Sequence, residues 1–357
     1  MSKRQSVTIR DVAQKAGVGL NTVSLTLKDS DLVRSETKSK VKAAIEELGY
    51  VPNVSARNLR RGTVRTIGVM IPDIHNFHYW DIVAGVEDEA RHHDYGIVLS
   101  NTNLNPQLEL DSLRGLLERR YDGLILMATH THSKETPTEV RKLLDQGSAI
   151  VTIGSTWREV DKIEPYPLEA GPLLMQHLYN LGHRRIGFVL GVAHQDLASG
   201  RLEAYCEFTA RHNLPQRIEY CGPTIPDGMA ATHRLLDDPA RPTAIVTVND
   251  YLAVAAMRTI ALRGLCIPAD ISLAGFDNIP LSQYLTPALT TVDVGGPNRG
   301  REAVRLLLER LKDPKRPTQI VKIPASLHVR ESTGPPPAAF DSRMQPEVPD
   351  PKNCNSF

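Results

Sequence analysis

The sequence predicts an α/β chain: two doubly wound parallel-sheet lobes preceded by an N-terminal all-α helix-turn-helix headpiece. Three observations carry that expectation. Apolar residues recur at helical spacing in three short runs before residue 50. From Thr66 onward, strand-like apolar runs alternate with helical stretches. Charge is also divided unevenly: residues 1–65 hold thirteen Lys and Arg against six Asp and Glu, a balance of +7, in a chain of net charge +1. A small basic helical unit ahead of an acidic body suits phosphate neutralisation on a nucleic-acid duplex, because bound Lys and Arg release its counterions.

Met1 to Ser6 is short, polar and basic, without the apolar run of a secretion signal. No later stretch approaches the about twenty unbroken apolar residues of a membrane span, so a cytoplasmic protein is expected. Thr8 stands at a helix N-cap, with Asp11 placed to bond back and Ile9, Val12, Ala13 and Ala16 at helical spacing. Gly17-Val18-Gly19 breaks that helix, and Leu20, Val23 and Leu27 resume the pattern too soon for anything but a tight turn between helices. A third helix is expected from Ser35, with Val41, Ala44, Ile45 and Leu48 on one face and Gly49 as its stop. Pro52 to Gly62 is too short and polar to hold a helix alone in water.

Strand-like runs at Ile67 to Ile71, Ile97 to Leu99, Leu124 to Met127 and Ile150 to Ile153 alternate with helical patterns at Tyr79 to His92, Gln107 to Arg119 and Glu139 to Gln146. A second set has strands at Ile186 to Leu190, Ala244 to Val248 and Ile271 to Ala274. Its helices are expected near Leu173 to Leu181, Arg201 to His212, Ala230 to Leu236, Leu252 to Arg263 and Arg299 to Leu311. Such sheets bind ligands beyond the carboxyl ends of their strands, which makes the cleft between the lobes the expected site. The domains are thus 1–51 (headpiece), 52–63 (hinge or linker), 64–333 (two-lobed body) and 334–357, a Pro-rich tail expected to be disordered.

Cys206, Cys221, Cys266 and Cys354 lack paired spacing and read as free thiols. His130-x-His132 lacks a placed third ligand, so no metal site is expected. There is no Gly-rich phosphate loop after the first strand and no nucleophile elbow, which argues against an enzyme and against a cofactor.

Val7-Thr8-Ile9, Asp11-Val12-Ala13, Ala16-Gly17-Val18, Thr22-Val23-Ser24 and Gly49-Tyr50-Val51-Pro52-Asn53 resemble the headpiece of LacI-type transcription regulators. The resemblance continues in the body at Gly182-His183-Arg184-Arg185-Ile186-Gly187, Pro242-Thr243-Ala244-Ile245 with Asn249-Asp250, Asp270-Ile271-Ser272 to Gly275-Phe276-Asp277, and Tyr284-Leu285-Thr286-Pro287 to Val292. That body in turn is similar to periplasmic sugar-binding proteins.

The resemblance implies that the second helix lies in the major groove, with Leu20, Asn21 and Leu25 at the base edges and Thr22 and Ser24 as phosphate contacts. Thr8 and Asn53 complete the set facing the duplex. The hinge would fold on DNA and pair with its twin, with Ala56 at the helix contact and Leu59 as a minor-groove wedge. His78, Tyr79, Arg201, Asn249 and Asp277 would hold a small-molecule effector, a sugar or sugar acid. A homodimer would set two headpieces on a palindromic operator of double-stranded DNA.

Two headpiece positions depart from the family pattern: Leu25 stands where many relatives carry Arg and offers only apolar contact, and Gly19 replaces the usual Ser. Plainer readings stand beside the effector roles: Asp277 as a turn residue, Asn249-Asp250 as helix caps, Arg201 as the partner of Glu203 or Glu207. The expected function is a DNA-binding repressor whose operator affinity is set by a metabolite in the cleft. The alternative, a two-lobed binding protein of the periplasmic type, would need a secretion signal and has no use for Val7 to Gly62.

Overall fold

A computed structural model describes residues 7–27, 29–50, 64–119, 121–127, 135–154, 157, 159–165, 167–191 and 195–337. The chain divides into two compact units at Val64/Arg65.

Among the described residues the N-terminal unit holds three helices: α1 (Ile9–Ala16), α2 (Leu20–Thr26) and α3 (Ser35–Leu48). The Thr8 N–H and hydroxyl both donate to Asp11 Oδ2, at 2.7 and 2.8 Å, and fix the start of α1. Gly17 (φ 65°) and Gly49 (φ 60°) close α1 and α3 in the left-handed conformation that favours glycine. Val12, Ala13, Val23, Val41 and Ala44 form one small core, with Ile45 and Leu48 packed against it.

The second unit holds two six-stranded sheets. The first has the order β11-β5-β4-β3-β1-β2, from β1 (Thr66–Ile71), β2 (Gly96–Asn101), β3 (Gly123–Met127), β4 (Ala149–Ile153), β5 (Asp161–Pro165) and β11 (Ile320–Ile323). The second has the order β12-β10-β9-β8-β6-β7, from β6 (Ile186–Gly191), β7 (Arg217–Cys221), β8 (Ala244–Thr247), β9 (Ser272–Asp277), β10 (Thr290–Asp293) and β12 (Ser326–His328). All pairings are parallel except the edge pair β10–β12. Central strands such as β3, GLILM, are buried throughout, as a parallel sheet covered on both faces requires.

Helices α4 (Phe77–His92), α5 (Pro106–Glu118) and α6 (Thr136–Asp145) belong to the first lobe. Helices α7 (Pro167–Asn180), α8 (Gln195–Arg211), α9 (Ile225–Asp237) and α10 (Asp250–Leu262) belong to the second.

The last long helix, α11 (Gly296–Lys312), changes the expected layout. Sequence order places it in the second lobe, yet it packs on α4 in the first, burying Ala303, Val304 and Leu307 beside Ile82 and Val86. Two glycines allow the crossing: a Cβ on Gly85 would sit 2.0 Å from the Pro297 carbonyl oxygen, and one on Gly300 2.1 Å from that of Ile82. The chain therefore passes between lobes three times, after β5, after β10 and after β11. Residues 334–337, read from sequence as the start of the tail, are held in place: the Gly334 N–H donates to Ser272 Oγ at 3.0 Å, and its carbonyl lies 2.8 Å from His183 Nε2. Residues 338–357 lie outside the described residues, as do His130 and His132.

Candidate nucleic-acid interface and ligand cleft

In the helical unit, Gly19 takes an extended conformation (φ −73°, ψ 155°) and its carbonyl accepts from the Thr22 and Val23 N–H groups, which starts α2 directly after the turn. Val23 and Thr26 face the core, and the Thr26 hydroxyl donates back to the Thr22 carbonyl at 2.9 Å. Leu20 and Asn21 are left exposed, with Thr22, Ser24 and Leu25 half-buried on the flanks. Of the apolar positions that announce this helix, Val23 alone is fully buried; Leu20 is 45% exposed. Thr8 is exposed too. Asn53, Ala56 and Leu59 lie outside the described residues.

In the second unit the strand ends bring residues from both lobes together. Asp277 closes β9 at φ 104°, an unusual conformation for a side chain-bearing residue, and is buried. Arg201 Nη2 donates to Asp277 Oδ1 at 2.9 Å, its Nη1 donates to the Val248 carbonyl, and its guanidinium lies over the Phe276 ring, 4.7 Å from the centroid. Its partner is therefore Asp277 and not Glu203 or Glu207. Arg201 sits within α8 rather than opening it, because α8 begins at Gln195.

From the first lobe, His78 in the opening turn of α4 brings Nδ1 to 3.8 Å from Asp277 Oδ1, beyond hydrogen-bond length. Burial outweighs that carboxylate and pushes the imidazole down to about 4, so it is neutral at pH 7. Tyr79, also in that turn, packs into the first lobe's core beside Ile82 and Val83, and burial raises its phenol. Asn249 caps α10: its side-chain oxygen accepts from the Leu252 N–H at 2.9 Å. The cleft thus joins His78, Arg201 and Asp277, while Tyr79 and Asn249 are engaged in packing and capping.

Four further charged residues belong to this neighbourhood: Asp81, Asp293 and Arg299 escaped sequence reasoning, and Asp250 was read only as part of a helix cap. Asp250 is fully buried, accepting from the Ile279 N–H at 3.0 Å and the Thr291 hydroxyl at 2.7 Å, and burial followed by Asp277 raises its carboxyl well above the ordinary range. Asp293 accepts from the Asn278 amide at 3.1 Å and the Gly295 N–H at 2.6 Å. Asp81 is pushed up to about 6 by burial, then by Asp293 and Asp277. Arg299, in the first turn of α11, is 2% exposed, and among the described residues its Nε and Nη2 have no hydrogen-bond partner. Burial, reinforced by Arg201, pushes it down to about 10. The signal that would have found it is the first-lobe packing of α11.

A basic three-helix unit joined in one chain to a two-lobed α/β body with a polar cluster between its lobes defines a class, that of helix-turn-helix proteins with a periplasmic-binding-protein-like body. Residues 8–53 match bacterial regulatory proteins of the lacI family, and residues 175–333 match a periplasmic binding protein-like domain. The ribose operon repressor of Escherichia coli (strain K12) is 33% identical over 332 residues, covering 91% of this chain and 99% of its own. Catabolite control protein A of Priestia megaterium is 33% identical, covering 92% and 99%. Among solved structures, the lac repressor dimer bound to operator and the anti-inducer ONPF superposes with a TM-score of 0.79 at 26% identity, covering 92% of this chain and 100% of that one. The chain belongs to the LacI family of bacterial regulatory proteins.

Proposed function

We propose that this protein is a sequence-specific DNA-binding repressor that works as a cytoplasmic homodimer and carries no enzymatic activity. A small metabolite in the inter-lobe cleft sets its affinity for a palindromic operator. The observation that carries this reading is the union of two parts in one chain: a basic helical unit that exposes Leu20 and Asn21 on α2, and a two-lobed body whose strand ends converge on Arg201, Asp277 and His78. Similarity along 91% of the chain to the ribose operon repressor supports it. The periplasmic-type alternative explains the body but leaves the helical unit without a role. Among the described residues no helix is long and apolar enough to cross a membrane.

In this reading Asn21 makes paired hydrogen bonds to an adenine edge, Leu20 and Leu25 give apolar contacts, and Thr8, Thr22, Ser24 and Asn53 position the unit on phosphates. Leu59 wedges into the minor groove with Ala56 at the paired hinge contact. His78 and Arg201 with Asp277 hold the effector, and Tyr79 and Asn249 shape its pocket from behind. A ligand that favours one closure of the lobes over the other biases whether the hinges pair, which is a coupling free energy between cleft and operator.

Selection of bound duplexes from a random pool at one fixed salt concentration tests the proposal, because phosphate affinity depends on salt. A recovered palindrome with a flexible central step supports it. A pool that stays random, with and without added metabolite mixtures, contradicts it.

A further inference from the structure

The cleft contains a buried guanidinium that forms no ion pair among the described residues. Arg299 is carried into it by the crossing of α11 onto α4, and the charges it feels most strongly are Arg201, Asp277 and Asp293. Its guanidinium is buried, Nε and Nη2 bond to nothing, and among the described residues no carboxylate lies within ion-pair distance of it. Three nearby carboxylates are engaged elsewhere: Asp277 by Arg201, Asp293 by the Asn278 amide and the Gly295 N–H, Asp250 by Ile279 and Thr291; the fourth, the half-buried Asp81, is raised to about 6 and forms no ion pair with Arg299. His78 Nδ1 is a second buried atom without a partner in the same cluster.

A buried cation without a counter-charge is costly, and unpaired polar atoms are rare in interiors. A guanidinium with two free N–H directions matches the two oxygens of a carboxylate or phosphate in one plane. A neutral hydroxyl could satisfy one N–H but would leave the charge uncompensated.

We propose that the cleft's effector is a hydroxylated compound bearing an oxyanion, a carboxylate or a phosphate, which Arg299 binds through Nε and Nη2 while His78 Nδ1 bonds a neighbouring hydroxyl. The proposal rests on the effector-site reading above and narrows it from carbohydrates at large to their acids and phosphates. Arg201 and Asp277 then bind the ligand's hydroxyls, and Arg299 selects for its charge.

The test uses the full-length protein and compounds that share a skeleton: glucose against gluconate and glucose 6-phosphate, galactose against galacturonate, and ribose against ribose 5-phosphate. Calorimetric titration reads affinity and thermal unfolding reads protection. At least one oxyanion-bearing compound is expected to bind about tenfold or more tightly than its neutral parent, the discrimination that a charge-assisted pair supplies. The acid and phosphate arms tell the two oxyanions apart. Arg299→Leu is expected to erase that preference, Arg299→Lys to retain part of it, and the ligand-free Arg299→Leu protein to unfold at no lower temperature than the native one, since it loses an unpaired charge. The proposal is overturned if no oxyanion outbinds its neutral parent, or if Arg299→Leu keeps the preference. Tight binding of a neutral sugar alone would overturn it while leaving the effector-site reading intact, and duplex selection on the same preparations tests the regulator reading separately.

Discussion

At the base of the first lobe, Asp161 is buried against two arginines. Arg310 Nε and Nη2 donate to it at 2.8 and 3.0 Å, Arg316 Nη2 and Nη1 at 2.8 and 3.1 Å, and the Gln319 N–H at 2.8 Å. At the other end of the same α11, Arg299 is buried with no carboxylate at bonding distance among the described residues. One helix thus carries a half-buried arginine that is matched by the fold and a fully buried one that is not. The matched cluster ties β5 to the segment before β11 and touches nothing in the cleft, so it serves structure. The unmatched one lies among residues of both lobes, where a ligand can complete it. Burial of a charged residue is therefore not the mark of a site, and neither is one unpartnered atom, since Arg316 Nε in the matched cluster also lacks a partner; what sets Arg299 apart is a buried guanidinium with no carboxylate at bonding distance among the described residues.

The contrast can be broken most severely at the matched end. Asp161→Ala should destabilise the body by about 3 kcal/mol in denaturant unfolding, because it removes a buried carboxylate and strands two half-buried guanidinium groups. A loss below about 1 kcal/mol, as for a surface pair, would show that water compensates them and would weaken the inference drawn from Arg299.

His78 sharpens the contrast through pH. Its folded-state value of about 4 lies below the ordinary 6.5, so the unfolded chain takes up the proton first. The stability it contributes is complete above pH 6.5 and is lost as pH falls towards 4. Between those limits His78→Gln should lose roughly 3 kcal/mol less than the native protein in unfolding titrations. Identical pH profiles would show that the imidazole is hydrated and not held neutral.

Asp81 gives the smallest effect, with the opposite sign. Its carboxyl is raised to about 6 and only half buried, so its contribution is present at acid pH and lost as pH rises through 6. After allowance for solvent screening, Asp81→Asn should gain about 1 kcal/mol at pH 7.5 and nothing near pH 4. A gain at both pH values would point to packing rather than charge.

What could be read from sequence follows the same division between matched and unmatched features. The helical unit was legible because Val12, Val23, Val41 and Gly49 each obey a local rule of spacing or capping. The central strands were legible as unbroken apolar runs. The edge strands β7, β11 and β12 were not, since an edge tolerates charged residues such as Arg217 and Lys322, and neither was β5 beside β11, where Asp161 and Lys162 interrupt the apolar run. The helix expected from Arg201 starts earlier, at Gln195, because it runs through Ser199-Gly200, residue types that more often interrupt helices. Arg201 and Asp277 could be singled out by resemblance, but Arg299 could not: on an amphipathic helix rich in arginine nothing local distinguishes the buried one from its exposed neighbours. That distinction comes from the crossing of α11 onto α4, a tertiary fact set by Gly85 and Gly300.

The central claim is that occupancy of the cleft controls binding of DNA. It is tested most directly by the affinity of the selected duplex at one fixed salt concentration, measured on the free protein and on protein saturated with the compound that protects it from unfolding. A change of about tenfold or more in either direction is expected, the size of an ordinary allosteric coupling. Equal affinity in the two states would contradict it.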